Sequence, residues 1–249
     1  MAGAIRIGVG GWTFAPWRGV FYPKGLAQKR ELEFASRMLT SIEINGTYYS
    51  TFKPDSWRKW RDETPDGFVF AVKASRFCTN RKVLAGAGPA VDVFLAQGLT
   101  ELGPKLGPIN WQLAETKKFD PADFGAFLAL LPAEKDGLAL RHAVEVRNPS
   151  FATPAFYDLC AKRGVAIVYA KDEKFPEIDQ PTAGFAYARF MSTSEKLETG
   201  VSPAALNGYA KQARAWAGRG DVFAYFISGA KVRNPAAARA LIVKLGKPA

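Results

Sequence analysis

The chain has 249 residues, a formal net charge of +11 and a hydrophobic fraction of 48%, a composition typical of a globular protein with a sizeable core and unlike that of a disordered chain. The length fits either two ordinary domains or one α/β barrel. There is no apolar run long enough to span a membrane and no apolar core of a signal peptide near the start, so we expect a cytoplasmic protein without a membrane segment. Cys78 and Cys160 have neither metal-site nor disulfide spacing and are predicted to be reduced core thiols.

Strand patterns alternate with helix patterns along the whole chain. The strand patterns lie in residues 5–10, 40–49, 67–74, 108–113, 142–146, 165–170, 185–190 and 221–227. The helix patterns lie in residues 26–38, 89–99, 120–131, 153–163, 203–217 and 235–245, with a short helix beginning at Pro54 and a basic loop at 75–88. Asp120 is the expected N-cap of the helix that continues with Pro121.

Strands that alternate with helices indicate parallel βαβ units. Eight such units in about 250 residues predict one domain over residues 1–249 with the α/β fold of a (β/α)8 TIM barrel, regular or irregular. The alternative is a doubly wound open sheet. Its Gly-rich dinucleotide-binding fingerprint is missing, because the run from Gly8 to Gly11 has the wrong spacing and no helix directly after it.

In such a barrel the functional site lies at the carboxyl ends of the strands, and alternate residues of each strand point inward. Ile42 and Ile44 are expected to face the helices, which turns Glu43 and Asn45 inward. The same alternation in the other strands predicts an inward polar set at this end. Its members are Glu43, Asn45, Lys73, Gln112, Glu145, Arg147, Asp172 and Arg189.

The predicted mouth carries more cations than acids. Lys73, Arg147 and Arg189, with Arg76 from the following loop, outnumber the three carboxylates. Such a set suits a carboxylate or phosphate ligand, for which arginine offers a two-pronged match. A structural network of ion pairs is the alternative interpretation. Four aromatic residues follow strand ends and are candidates to stack on a substrate ring. They are Trp12, Tyr48, Tyr49 and Phe77.

Candidate acid/base groups are the carboxylates Glu43, Glu145 and Asp172. Asn45 and Gln112 are expected to orient the substrate. No metal site and no cofactor are predicted, because the chain has a single histidine, His142, on the face opposite Glu145. Carboxylates alone could still hold Mg²⁺ with water molecules.

The distribution of charge leaves a second function open. From Leu206 to the end there are eight Lys or Arg residues and one acid, Asp221. This basic third is either a solvated face or a track for the phosphates of a nucleic acid, with the aromatic residues as stacking partners. The oligomeric state is not encoded in any pattern that we recognise.

Several motifs together resemble one family. They are Gly8-Val9-Gly10-Gly11-Trp12, Trp17 to Pro23, Glu43 to Tyr49, Phe70 to Arg76, the strand of Gln112, Ala143 to Phe151, and Tyr187-Ala188-Arg189. The combination is similar to the YecE-like family, a domain of unknown function with a TIM-barrel fold, and the similarity spans nearly the whole chain. It implies that fold and a polar cavity at the positions derived above, and it implies no activity.

The chain departs from the family pattern where histidines are usual. Asn80 stands in place of the His of a Thr-His pair, and Met191 stands in the Arg-x-His-Gly motif after the seventh strand. Because the predicted mouth is cationic, we expect an enzyme that binds a small anionic substrate, with Arg147, Arg189 and Lys73 holding the anion. The alternatives are nucleic-acid binding or processing, and a ligand sensor without catalysis, which the missing histidines favour.

Overall fold

The computed structural model describes residues 2–246. The strands are β1 (Ile5–Gly10), β2 (Ser41–Ile44), β3 (Val69–Lys73), β4 (Leu106–Gln112), β5 (Glu134–Lys135), β6 (Leu138–Ala139), β7 (His142–Glu145), β8 (Ala166–Lys171), β9 (Phe185–Phe190) and β10 (Asp221–Phe226). Within the described residues, β5 and β6 form a separate hairpin, and the other eight strands close into a barrel in the order β1-β10-β9-β8-β7-β4-β3-β2. Every pairing in the barrel is parallel. The α/β barrel expected from the strand–helix alternation is confirmed.

Helices surround the barrel. They are α1 (Glu31–Met38), α2 (Pro54–Glu63), α3 (Arg76–Thr79), α4 (Gly88–Leu95), α5 (Pro121–Ala129), α6 (Pro154–Lys162), α7 (Pro203–Ala217) and α8 (Asn234–Lys244). Asp120 caps α5 as expected, since its carboxylate accepts hydrogen bonds from the N–H groups of Ala122 and Asp123. The bounds of α7 agree with the sequence prediction.

The strand faces follow the predicted alternation. In β3, Phe70 and Val72 pack in the layer between barrel and helices, while Val69 and Ala71 belong to a separate cluster. This second cluster fills the barrel interior. It consists of Val69, Ala71, Ala143, Ala166, Val168, Tyr187, Phe223 and Tyr225. Side chains above it, at the carboxyl ends of the strands, therefore stand on a packed floor.

Some boundaries differ from the prediction, each for a local reason. Helix α3 interrupts the expected loop 75–88, because the Ser75 hydroxyl accepts a hydrogen bond from the Phe77 N–H and starts a turn. The helix expected over 89–99 ends at Leu95, since Gly98 adopts a left-handed conformation with φ of 95°. The β5–β6 hairpin lies between α5 and β7 and is absent from the prediction, because two-residue strands carry no periodic signal.

One close approach ties β1 to β2. A Cβ placed on Gly8 would lie 1.8 Å from the carbonyl oxygen of Ser41. Only glycine fits there, so this residue sets how tightly the two strands pack. Among the described residues, no helix has the length and apolarity that a membrane crossing requires.

Candidate active site at the barrel mouth

Arg189 lies at the centre of a polar network at the carboxyl ends of the strands. Its side chain comes from β9 and is only 2% exposed. One Nη donates to Oε1 of Glu43 on β2 at 3.0 Å, and the other donates to the carboxylate of Glu145 on β7. The second Nη also donates to Oε1 of Gln112 at 3.1 Å. One guanidinium group thus joins β9 to three other strands, β2, β4 and β7.

Further polar side chains complete this mouth network. Tyr187 donates its hydroxyl proton to Glu43. Asn110, fully buried on β4, directs its amide toward Glu145 at 3.3 Å and Glu43 at 3.5 Å. Its Oδ1 has no hydrogen-bond partner among the described residues. The mouth network therefore consists of Glu43, Asn110, Gln112, Glu145, Arg147, Tyr187 and Arg189.

Arg147 is the outermost arginine of this network. Its Nε donates to Oε1 of Glu145 and its Nη2 to Oε1 of Gln112, both at 2.9 Å. The guanidinium carbon lies 4.5 Å from the ring centre of Phe175, which comes from the loop after β8. Its side chain remains 23% exposed. Arg147 is therefore held in place by the network and still reaches solvent.

The neighbouring cations dominate the electrostatics of Glu145. Burial alone would raise the pKa of Glu145, but the charges of Arg189, Arg147 and Lys73 outweigh it and lower the pKa to about 2. Burial and the Glu43 carboxylate raise the pKa of Tyr187 well above its ordinary value, so its hydroxyl keeps its proton. Glu145 is an anchor for cations at neutral pH and a weak proton acceptor.

Lys73 ends β3 beside the mouth network. Its Nζ lies 4.2 Å from the ring centre of Tyr48 and, among the described residues, forms neither a hydrogen bond nor an ion pair. Burial, reinforced by the charge of Arg189, lowers the pKa of Lys73 to about 8 against the opposing effect of Glu43 and Glu145. The residue is half-buried, and its amine loses its proton more readily than that of an exposed lysine.

An aromatic cavity of about 390 Å³ opens above the ends of β1 and β2. It is lined by three predicted substrate-binding residues, Trp12, Asn45 and Tyr49. Tyr49 is 65% exposed and meets Tyr48 edge to face at 5.0 Å. The Asn45 Oδ1 is buried without a hydrogen-bond partner among the described residues. The cavity thus offers ring surfaces to a ligand.

The remaining predicted residues lie at the edge of the mouth. Arg76 is exposed and lies near the rings of Tyr49 and Phe77, at 5.9 and 5.3 Å. Asp172 follows β8, is half-buried and accepts a hydrogen bond from the Lys174 N–H. Unlike Glu43 and Glu145, it forms no ion pair within the described part of the chain. No group of three or more His, Cys, Asp or Glu side chains comes together among residues 2–246.

Sequence reasoning missed two contributors to this surface. Phe175 covers Arg147 from an irregular loop, where no periodic pattern assigns a direction to a side chain. Lys231 lines the aromatic cavity with its Nζ 4.3 Å from the ring centre of Phe14, and burial lowers its pKa. The basic excess after Leu206 was the available signal for Lys231, although it did not indicate the mouth.

The positions where family histidines are usual lie in different surroundings. The Asn80 amide donates to the Tyr48 hydroxyl at 3.1 Å, so this residue is at the mouth. Met191 is buried with 4% exposure. The single histidine, His142, lies on the helix-facing side of β7, where its Nδ1 accepts from the Trp111 indole at 3.1 Å. Its predicted structural placement agrees with this packing.

Fold and site define a TIM-barrel protein whose mouth holds a buried carboxylate–arginine network beside a half-buried lysine and an aromatic cavity. Residues 6–249 match the family described as "Protein of unknown function DUF72". The chain belongs to this family, in agreement with the resemblance inferred from its motifs.

Known relatives place the chain in the same group. It is 29% identical over 164 residues to the UPF0759 protein YecE of Escherichia coli K12, and that match covers 65% of this chain and 55% of the relative. The chain thus matches little more than half the length of this curated relative. A DUF72 family protein of Thermotoga maritima (TM1631) superposes with a TM-score of 0.78 at 23% identity, covering 97% of this chain and 98% of that one. A D-psicose 3-epimerase structure shares the fold at a TM-score of 0.52 and 12% identity, covering 97% and 90%.

Proposed function

We propose that this protein is an enzyme that binds a small carboxylated or phosphorylated substrate at the barrel mouth. The observation that carries the proposal is the charge balance of the buried groups. Arg189 and Arg147 face Glu43 and Glu145, so two cations match two anions, and the Lys73 amine adjoins them without an acidic partner among the described residues. A half-buried cation without a counter-charge is unfavourable, and an anionic ligand removes that cost.

Each group has a distinct role in this proposal. Lys73 and the exposed edge of Arg147 hold the anion. The guanidinium of Arg189 is already occupied by two carboxylates, so we assign it, with Glu43 and Glu145, to positioning. Asp172 has no ion pair within the described residues and reaches solvent, which makes it the proposed proton acceptor. Gln112 fixes the two arginines, and Trp12, Asn45 and Tyr49 receive the uncharged part of the substrate.

The binding step is tested with inorganic phosphate and oxalate as probes, using isothermal titration calorimetry of the full chain. We expect Lys73→Gln and Arg147→Gln each to weaken binding about tenfold, which corresponds to about 1.4 kcal/mol. Lys211→Gln is the matched control, because Lys211 is exposed on α7 and away from the mouth. Equal affinity in all four proteins overturns the proposed anion site.

The catalytic step needs a turnover screen with phosphorylated and carboxylated metabolites. The fold is shared with a D-psicose 3-epimerase, which supports the choice of sugars and sugar phosphates as the first set. Asp172→Asn should abolish any turnover found while leaving phosphate affinity unchanged. A protein that binds these ligands without converting any of them is the non-catalytic sensor considered above.

A nucleic-acid partner is the second candidate, and a basic cleft near α3 supports it more specifically than the basic C-terminal third does. A cleft of about 610 Å³ beside Asn80 is lined by the cations Arg81, Lys82, Lys117 and Lys118. Phe77, on the neighbouring α3, is 64% exposed. Cations beside exposed rings suit a single strand. Binding of an oligonucleotide that weakens steeply between low and physiological salt supports this candidate, and flat affinity removes it.

A further inference from the structure

The amine of Lys73 differs in its bonding from the members of the mouth network. The carboxylates and arginines of the mouth network are engaged with one another and with the amides of Asn110 and Gln112 at 2.9–3.5 Å. Lys73 Nζ instead lies over the face of the Tyr48 ring, with no acceptor among the described residues. Its backbone is fixed, since the Thr47 hydroxyl donates to the Lys73 carbonyl at 2.6 Å. The amine is thus positioned without being consumed by an ion pair.

We infer that the Lys73 amine is a nucleophile that condenses with the carbonyl group of a small anionic aldehyde or ketone to form an imine. This inference rests on the proposed anion site and names its substrate class. A lysine acts in this way when burial and neighbouring cations favour its unprotonated form, and Lys73 has both. Arg147 is the available partner for the carboxylate or phosphate of the same molecule.

The chemistry balances with groups that are present. The amine nitrogen attacks the carbonyl carbon and forms a C–N bond, and a proton moves from nitrogen to the former carbonyl oxygen. The resulting carbinolamine then loses its hydroxyl as water, which leaves the C=N bond to Lys73. Tyr48 is suited to supply and recover the proton, because its hydroxyl accepts a hydrogen bond from Asn80 and keeps its own hydrogen for donation.

The low pKa of Glu145 favours imine formation by Lys73 over proton transfer by Glu145. With a pKa of about 2, Glu145 accepts a proton poorly at neutral pH, while Lys73 titrates near pH 8. Glu145 and Glu43 nevertheless offset part of the positive field, so that an iminium cation remains tolerable at this position. The same two residues that hold Arg189 thereby moderate the charge at the nitrogen.

The experiment traps the imine on the full chain with glyoxylate and sodium borohydride at pH 8. Hydride adds to the imine carbon and a proton to nitrogen, which leaves a carboxymethyl group on the lysine. Trypsin does not cut after an alkylated lysine, so modification at Lys73 appears as an uncut peptide of residues 62–76 in mass spectrometry. We expect this peptide to be labelled at least tenfold faster than peptides containing the exposed Lys211.

Four controls distinguish a built site from random labelling. Glycolaldehyde, an uncharged aldehyde of similar size, should label Lys73 much more slowly than glyoxylate. Inorganic phosphate should protect Lys73 and leave Lys211 unaffected. The labelling rate should rise with pH around pH 8, and Tyr48→Phe should slow it without weakening phosphate binding.

The outcomes also separate this inference from the proposed function. If phosphate binds in a Lys73-dependent manner and Lys73 is not labelled selectively, the imine is overturned and the anion site stands. If phosphate and oxalate do not bind and labelling is spread evenly over the lysines, both fail. Equal labelling of Lys73 and Lys211 in the wild-type chain contradicts the inference in every case.

Discussion

Arg189 and Glu43 form an ion pair across the barrel interior, with Nη2 3.0 Å from Oε1 and with side chains that are 2% and 0% exposed. The pair joins β9 to β2, which are not neighbours in the barrel. Removing Arg189 leaves Glu43 buried without a counter-charge, and removing Glu43 leaves Arg189 with Glu145 alone. Breaking a buried ion pair in this way typically costs about 3–5 kcal/mol. This ion pair therefore stabilises the fold. By joining β9 to β2, it also helps to define the shape of the mouth.

We predict that Glu43→Gln lowers the free energy of unfolding by about 3 kcal/mol, measured by urea denaturation. The control is Glu33→Gln, because Glu33 pairs with Arg30 on the surface, where such pairs contribute about 0–1 kcal/mol. The double variant Glu43→Leu with Arg189→Met should be less destabilised than the sum of its single variants. An additive double variant would show that the two charges do not interact.

Acid should destabilise the protein through Glu145. Its pKa is lowered to about 2 in the folded chain, below the unfolded value near 4.3. The unfolded chain therefore binds more protons in this window, and stability present above pH 4.3 is lost as the pH falls toward 2, by on the order of 3 kcal/mol. Relative to the wild-type chain, Glu145→Gln should show a flatter decline between pH 4.3 and pH 2 in urea titrations. Parallel pH profiles would contradict this.

Raising the pH above 8 should increase the stability of the folded chain through Lys73. Its pKa of about 8 lies below the unfolded value near 10.4, so the unfolded chain binds more protons between these limits. Stability should then rise from pH 8 to 10.4 by on the order of 2 kcal/mol, less than the full shift implies because the amine is partly exposed. Lys73→Met should lack this rise and be the more stable protein at pH 7. Thermal unfolding across this range measures both effects.

His142 should remain neutral through physiological pH. Burial lowers its pKa against the opposing hydrogen bond to the Pro132 carbonyl, 2.8 Å from Nε2. Because Nδ1 accepts from the Trp111 indole, the proton is placed on Nε2. The chain has one histidine, so its NMR signal is unambiguous. We expect the Nε2–H tautomer and a titration midpoint below the ordinary value of histidine. A midpoint at or above that value would show that this packing is wrong.

Two glycine-to-alanine changes should have opposite signs. Gly8→Ala places a methyl group 1.8 Å from the Ser41 carbonyl oxygen and should cost about 4 kcal/mol or more, or prevent folding. Gly208→Ala lies inside α7, with nothing near the added Cβ, and should stabilise the chain by about 0.5–1 kcal/mol. Melting temperatures of the two variants provide the measurement. A well-folded Gly8→Ala protein would contradict the close approach of β1 and β2.

The barrel could be predicted from sequence because each strand carries a period of two and each helix a period of 3.6. The same period placed Glu43, Lys73 and Arg189 correctly on the inward face. These side chains lie within strands or at their ends, where the backbone direction fixes where a side chain points. Fold and inward face thus follow from local pattern alone.

The pairing of the individual inward residues could not be predicted from the sequence. Parity says that Arg189 and Glu145 share the interior, but the partner of each charge depends on distances across the barrel. Those distances follow from strand register and tilt. Loop residues were harder still: Phe175 reaches Arg147 from a segment with no period. The contrast between the occupied Arg189 and the unpaired Lys73 is therefore a result that only three-dimensional packing supplies.

The packed floor beneath the mouth network limits how a ligand can enter and leave the site. Within the described residues, Tyr187, Tyr225 and their neighbours fill the barrel below Arg189, so a molecule that reaches the Lys73 amine must depart by the route of its arrival. Substrate binding and product release therefore use the same opening. We expect bound product to block the binding of substrate, so that product inhibition in steady-state kinetics is competitive.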